Sequence, residues 1–148
     1  MGDETEAHAN VKQVLPFLRV SEMEHSVRYY VEGLGFAMKH QWIVDEKLRW
    51  CWLTLGGAAL MLQEESPRKE HDPSIPGRKV GDGVALCFQC EDALAISPQT
   101  VSRAIQASEP QVGNSMWVTT LSDPDGYRLE FASITDVAEE TKLSDLHA

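Results

Sequence analysis

A chain of 148 residues, 43% of them hydrophobic, is long enough to fold as one domain around its own core. Its formal charge of −10, from 23 acidic against 13 basic side chains, repels phosphate backbones and draws in cationic small molecules, so no nucleic acid partner is expected. No apolar run approaches the roughly 18 residues that cross a bilayer, and the polar, acidic opening is neither a signal nor a transit peptide, so no membrane association and a cytoplasmic location are expected.

Residues 1–12 read as a flexible N-terminus, followed by an apolar strand at 15–20. Ser21, with Glu24 as capping-box partner, opens a helix whose Val27, Tyr30, Val31 and Leu34 recur at helical spacing; Gly33 and Gly35 end it. Strands follow at 36–44 and 48–55, separated by the polar turn Asp45-Glu46-Lys47. Gly56-Gly57 then makes a tight hairpin into a strand at 58–63, because glycine tolerates the positive φ of such turns. The stretch 64–83 holds Pro67, Pro73 and Pro76 with mixed charge and no periodicity, and reads as a linker or a flap. Beyond it the order repeats: a strand at 84–90, a helical piece at 92–107 restarted by Ser97-Pro98, and a closing hairpin at 116–132. Residues 134–148 form a polar tail. The expectation is an α+β fold in which two βαβββ modules, 13–63 and 84–133, form curled mixed sheets around a pocket within a single domain at 13–133.

Register places the side chains. A two-residue loop at Gly56-Gly57 pairs Leu55 with Ala58, Leu53 with Leu60 and Trp52 with Met61. Cys51, Leu53, Leu55, Leu60 and Leu62 then share an aliphatic face beneath the helix, leaving Trp50, Trp52, Thr54, Met61 and Gln63 on the other, concave face. A four-residue loop at Asp123-Pro124-Asp125-Gly126 places Thr119 opposite Glu130 and Leu121 opposite Arg128, so that Trp117, Thr119, Arg128 and Glu130 point into the concavity. The candidate ligand-binding set is Trp50, Trp52, Met61, Trp117, Arg128 and Glu130. A plainer reading has the tryptophans filling core or a subunit contact, and Arg128 and Glu130 forming only a local charge pair.

Other chemistry-bearing residues give less. Cys51, Cys87 and Cys90 make an odd count, and Cys87 and Cys90, three apart on a strand, point to opposite faces; all three read as buried structural thiols. His8, His71 and His147 lie in polar sequence, while His25 and His40 lack a second ligand at recognisable spacing.

Three segments together carry a resemblance: Pro16-Phe17-Leu18-Arg19-Val20-Ser21-Glu22-Met23; Arg28-Tyr29-Tyr30 with Gly33-Leu34-Gly35-Phe36; and Asp123-Pro124-Asp125-Gly126-Tyr127-Arg128-Leu129-Glu130-Phe131. They resemble the vicinal oxygen chelate superfamily, the glyoxalase, bleomycin-resistance and extradiol-dioxygenase group. Gly57-Ala58-Ala59-Leu60-Met61-Leu62-Gln63-Glu64 is more similar to the bleomycin-resistance branch than to the lyases. In the superfamily's enzymes a divalent metal is held by His, Glu or Gln on inner strands; the matching positions here are Leu15, Met61, Ala85 and Glu130. Three of these offer a hard or borderline cation no useful donor, so neither metal nor other cofactor is expected. The resemblance implies a homodimeric protein that binds an antibiotic-like small molecule rather than transforming it; the missing donors make it metal-free, and the indoles with Glu130 suit a planar, cationic ligand. The alternative it leaves open is a metal-dependent glyoxalase-like lyase or extradiol dioxygenase with Glu130 as one ligand.

Overall fold

The computed structural model describes residues 10–64, 80–103 and 105–147. Most of the stretch expected to link the modules, and nearly all of the expected N-terminal arm, lie outside these residues. The described chain runs β1 (Phe17–Val20), a helix (Met23–Val27) that widens into a π-helical turn (Arg28–Gly33), β2 (Ala37–Val44), β3 (Lys47–Leu55) and β4 (Ala58–Glu64). The same order then recurs as β5 (Ala85–Gln89), a 3-10 turn (Ala93–Ala95) with a short helix (Ile96–Val101), β6 (Gln111–Gly113), β7 (Met116–Ser122) and β8 (Arg128–Ile134).

The repeat read from sequence is a repeat in space. Each half forms a four-stranded mixed sheet, ordered β1-β4-β3-β2 and β5-β8-β7-β6, with the first and last strands of each module parallel and the rest antiparallel. This is the expected α+β arrangement of two βαβββ modules. Among the described residues, no helix is long and apolar enough to cross a membrane.

Local chemistry explains the turns. Asp45 and Glu46 both adopt positive φ, and Gly56 does so at φ 56°, so the two hairpins of the first sheet close tightly. The β3–β4 ladder has the expected register, with Leu55 opposite Ala58, Leu53 opposite Leu60 and Trp52 opposite Met61. Cys51, Leu53, Leu60 and Leu62 are accordingly fully buried, with Leu18, Val20 and Tyr30 packed among them.

The helix starts differ from expectation. Ser21 does not cap the first helix: Glu22 occupies the N-cap without a side-chain bond, and Ser21 donates its hydroxyl to Asp125 of the other module at 2.6 Å. The free helical N–H of Met23 is met from outside by the Glu64 carboxylate at 2.8 Å. In the second module Asp92 caps the 3-10 turn, accepting from Leu94 N, and Ser97 lies inside the helix that follows.

One core spans both modules. Phe36 meets Phe88 edge-on and Phe88 stacks on Phe131 at 4.9 Å between centroids. Tyr30 donates its hydroxyl to Asp123 at 2.7 Å, while the Tyr127 hydroxyl both accepts from Arg19 N and donates to Arg19 O at 3.1 Å. The closing turn of the second module therefore clasps the start of the first.

Candidate functional site

Ladder partners project to the same side of a sheet, so the pairings define each concave face. On the first sheet Trp52 lies beside Met61 and His40, Trp50 beside Gln63 and Trp42, and Phe17 beside Met61. Trp50, Trp52 and Met61 are half-buried, whereas Phe17 and Trp42 are 54% and 55% exposed, so this aromatic face is open. A register shift between Met38 and His40 frees Lys39 from the ladder, and its ammonium stands 5.6 Å from the centre of the Trp52 ring. His40 packs edge-on against the same ring at 5.4 Å. The Trp52 indole N–H is buried and, among the described residues, has no hydrogen-bond partner.

On the second sheet Arg128 Nε pairs with Glu130 Oε2 at 2.9 Å. Glu130 lies between Cys87 on β5 and Thr120 on β7. This face forms the floor of a cavity of about 620 Å³, lined by Cys87, Met116, Val118, Thr120, Arg128 and Glu130 among others. Among the described residues, its walls come from the second module alone. Trp50, Trp52 and Met61 do not line it. A larger cavity of about 900 Å³ follows the seam between modules, past Gly57, Ala59, Cys87, Phe88 and Arg103, and none of the six candidate ligand-binding residues lines it.

Two sequence expectations need correction. The loop of the closing hairpin is one residue longer than expected, because Tyr127 leaves the ladder: its N–H donates to the Asp123 carboxylate at 2.9 Å and Ser122 pairs with Arg128. That single residue turns β7 over. Thr120, not Thr119, stands opposite Glu130, and Leu121 faces Leu129. Trp117 is therefore not in the concavity; it is buried beside Val112 and Ala93 on the helix side, where Thr119 donates its hydroxyl to Ala93 O. The second correction concerns the thiols. Cys51 is buried, and burial pushes it up to about 11, but Cys87 is exposed on the open face of an edge strand and Cys90 is half-buried. Sequence reasoning read Cys87 as a buried structural thiol and passed over Gln89 and Met116, although alternation along 85–89 already put Cys87 and Gln89 on one face.

The donor set does not suit a divalent metal of the superfamily's kind. On the concave faces the parallel ladders set Phe17 beside Met61, Arg19 beside Gln63 and Cys87 beside Glu130, at the positions nearest those matched to the superfamily's ligands. A phenyl and a thioether give such an ion nothing, and one carboxylate with one thiol falls short of the three protein ligands usual for a catalytic site. Among the described residues, no three His, Cys, Asp or Glu side chains cluster as ligands.

Comparison with known proteins bears on this geometry. Residues 8–131 match the model of the glyoxalase/bleomycin resistance protein/dioxygenase superfamily. Among solved structures the chain is similar to TnmS3, an antibiotic binding protein from Streptomyces sp. CB03234, at 19% identity and a TM-score of 0.61, covering 86% of this chain and 100% of that one. A glyoxalase/bleomycin resistance protein from the same Streptomyces is 21% identical with a TM-score of 0.58, over 81% of this chain and 98% of that one. The virulence protein STM3117 from Salmonella typhimurium is 21% identical with a TM-score of 0.60, over 86% and 100%. These likenesses establish the fold. No curated protein matches the sequence.

Proposed function

Because the chain belongs to the glyoxalase/bleomycin resistance protein/dioxygenase superfamily, we propose that it is a binding protein of the bleomycin-resistance type, which sequesters a planar, cationic small molecule without a divalent metal. The observation that carries this reading is a half-open indole face on the first sheet, where Trp50 and Trp52 flank Met61, and a separate face bearing Glu130 on the second; Met61 and Glu130 stand where the resemblance places metal ligands in the superfamily's enzymes. Indoles attract a flat cation through stacking and cation–π contact, each worth about 0.5–2 kcal/mol. Lys39 already occupies the Trp52 ring, so a ligand stacking there takes the place of its ammonium, and the orphan indole N–H offers a hydrogen bond to an acceptor on the ligand. Arg128 Nε pairs with Glu130 Oε2 at 2.9 Å and fixes where the carboxylate points, so a cationic ligand competes with that guanidinium for it. That solved structures of this fold include a protein described as antibiotic-binding supports a small-molecule ligand.

The binding unit in this reading is a cytoplasmic homodimer in which the indole face of one subunit covers the Glu130 face of the other. Its support is that, among the described residues, the cavity over Glu130 has no first-module residue in its walls, and Phe17 and Trp42 on the indole face are more than half exposed. A metal-dependent lyase or dioxygenase would need more donors around Glu130 than Cys87 provides.

Titration with cationic aromatic compounds, followed by tryptophan fluorescence, tests the reading. The expected result is saturable quenching by some of the panel, weakened roughly 2- to 30-fold by Trp50→Ala or Trp52→Ala, a loss of about 0.5–2 kcal/mol. No quenching across a diverse panel, or an affinity indifferent to both substitutions, would overturn it.

A further inference from the structure

Two sulfur atoms meet in the cavity of the second sheet. Gln89 donates its side-chain Nε2 to Met116 Sδ at 3.4 Å and to Cys87 Sγ at 3.5 Å, so the two sulfurs lie within about 7 Å of each other. Sulfur is a weak acceptor, so this amide is held by two poor bonds and is easily displaced. Cys87 is exposed, Met116 is half-buried, and both line the cavity of about 620 Å³. The other two thiols are turned elsewhere: Cys51 is in the core, and Cys90 donates to Ala132 O at 3.5 Å.

A thiolate with a thioether is a soft donor pair, which selects monovalent d10 ions over the divalent ions that Glu130 alone would attract. We propose that Cys87 and Met116 form a binding site for one soft monovalent cation, Cu(I) or Ag(I), seated where the Gln89 amide now lies. On binding, the Cys87 S–H bond breaks, its proton passes to water and a sulfur–metal bond forms; Met116 adds a lone pair, and no electron is transferred. With metal–sulfur bonds of roughly 2.3 Å, neither sulfur has to move inward by more than about 1 Å. The unbranched Met116 side chain, with its rotatable bonds, makes most of that adjustment. Glu130, beside Cys87 and already paired with Arg128, stays outside the coordination shell.

Silver(I) is the probe, since it needs no reductant. The whole protein, labelled with carbon-13 at its methionine methyls, is titrated with Ag(I) while proton release is recorded. The expected outcome is one ion per chain, one proton released and a saturating shift of the Met116 methyl. Met116→Leu weakens binding by at least about tenfold, and Cys87→Ser abolishes it over the same range. An unmoved Met116 methyl while silver still binds would reduce the site to reaction at an exposed thiol and overturn the proposal. Unchanged affinity in either variant would do the same.

Discussion

Asp123 sits where three donors converge on one buried carboxyl group. The Tyr30 hydroxyl meets one oxygen at 2.7 Å, and the backbone N–H groups of Asp125 and Tyr127 meet the other at 2.9 Å. Burial pushes its pKa up, and the three hydrogen bonds pull it only part of the way back. The raised value has a definite consequence for folding. Between the ordinary aspartate range and the raised native value, the folded protein holds a proton that the unfolded chain has lost. The contribution of this group to stability is therefore complete below the ordinary range and is lost as pH rises through the native value. Asp123→Asn keeps an oxygen for the two backbone donors and turns its amide toward the Tyr30 hydroxyl, which then accepts. Urea unfolding of the wild type and this variant, in buffers from about pH 4 to about pH 7, should show the wild type losing stability relative to the variant as pH climbs. Parallel pH profiles would show that the carboxyl group titrates alike in both states.

The turn that contains Asp123 is also the element on which module packing depends. Gly81 donates its N–H to Asp125 O at 2.9 Å and passes so close to the turn that a Cβ there would lie 2.6 Å from Gly126 C, and closer still to Tyr127 N. Those neighbours are backbone and cannot swing aside. Gly81→Ala is expected to destabilise the protein by about 1–3 kcal/mol, read as a lower urea midpoint, because the turn must shift away from the Arg19 and Ser21 contacts it makes across the module boundary. An unchanged midpoint would mean that the turn moves freely. The same element marks where the sequence stopped being legible. At Gly56-Gly57 the loop chemistry admits few closures, so local residues alone set the register of β3 and β4 and correctly placed Trp50, Trp52 and Met61 on the open face. Asp123-Pro124-Asp125-Gly126 reads locally as a complete turn, but Tyr127 is drawn out of the strand by Asp123 and by the distant backbone of Arg19. A contact across more than a hundred residues thus decided which way Trp117 faces, and no local pattern carries that information. The adjacency of Cys87 and Glu130 was hidden for a related reason. Parallel strands joined by a long crossover take their register from tertiary packing rather than from a turn.

At the scale of the whole molecule, the two modules share one core on their helix sides, and among the described residues the cavity over Glu130 is walled by the second module alone. Val14 and Ile134 are 91% and 83% exposed, and with Phe17 and Trp42, at 54% and 55%, they are large apolar side chains that a second copy could cover. A second copy related by a two-fold axis would cover the same patches on both subunits at once, since such interfaces are self-complementary. If the ligand pocket is shared in this way, the two halves of the site belong to different chains. One variant, Trp50→Ala with Trp52→Ala, lacks the indoles; another, Glu130→Ala, lacks the carboxylate; each alone has weakened binding in both pockets of its dimer. After the two are unfolded together and refolded, about half of the dimers are mixed, and each mixed dimer has one pocket carrying both defects and one carrying neither. About a quarter of the wild-type high-affinity capacity should then return, measured by equilibrium dialysis of a quenching ligand. A pocket built within one chain would regain nothing, because every pocket would retain a defect. A protein that sediments as a monomer at the concentrations used would exclude the shared pocket before any ligand was added.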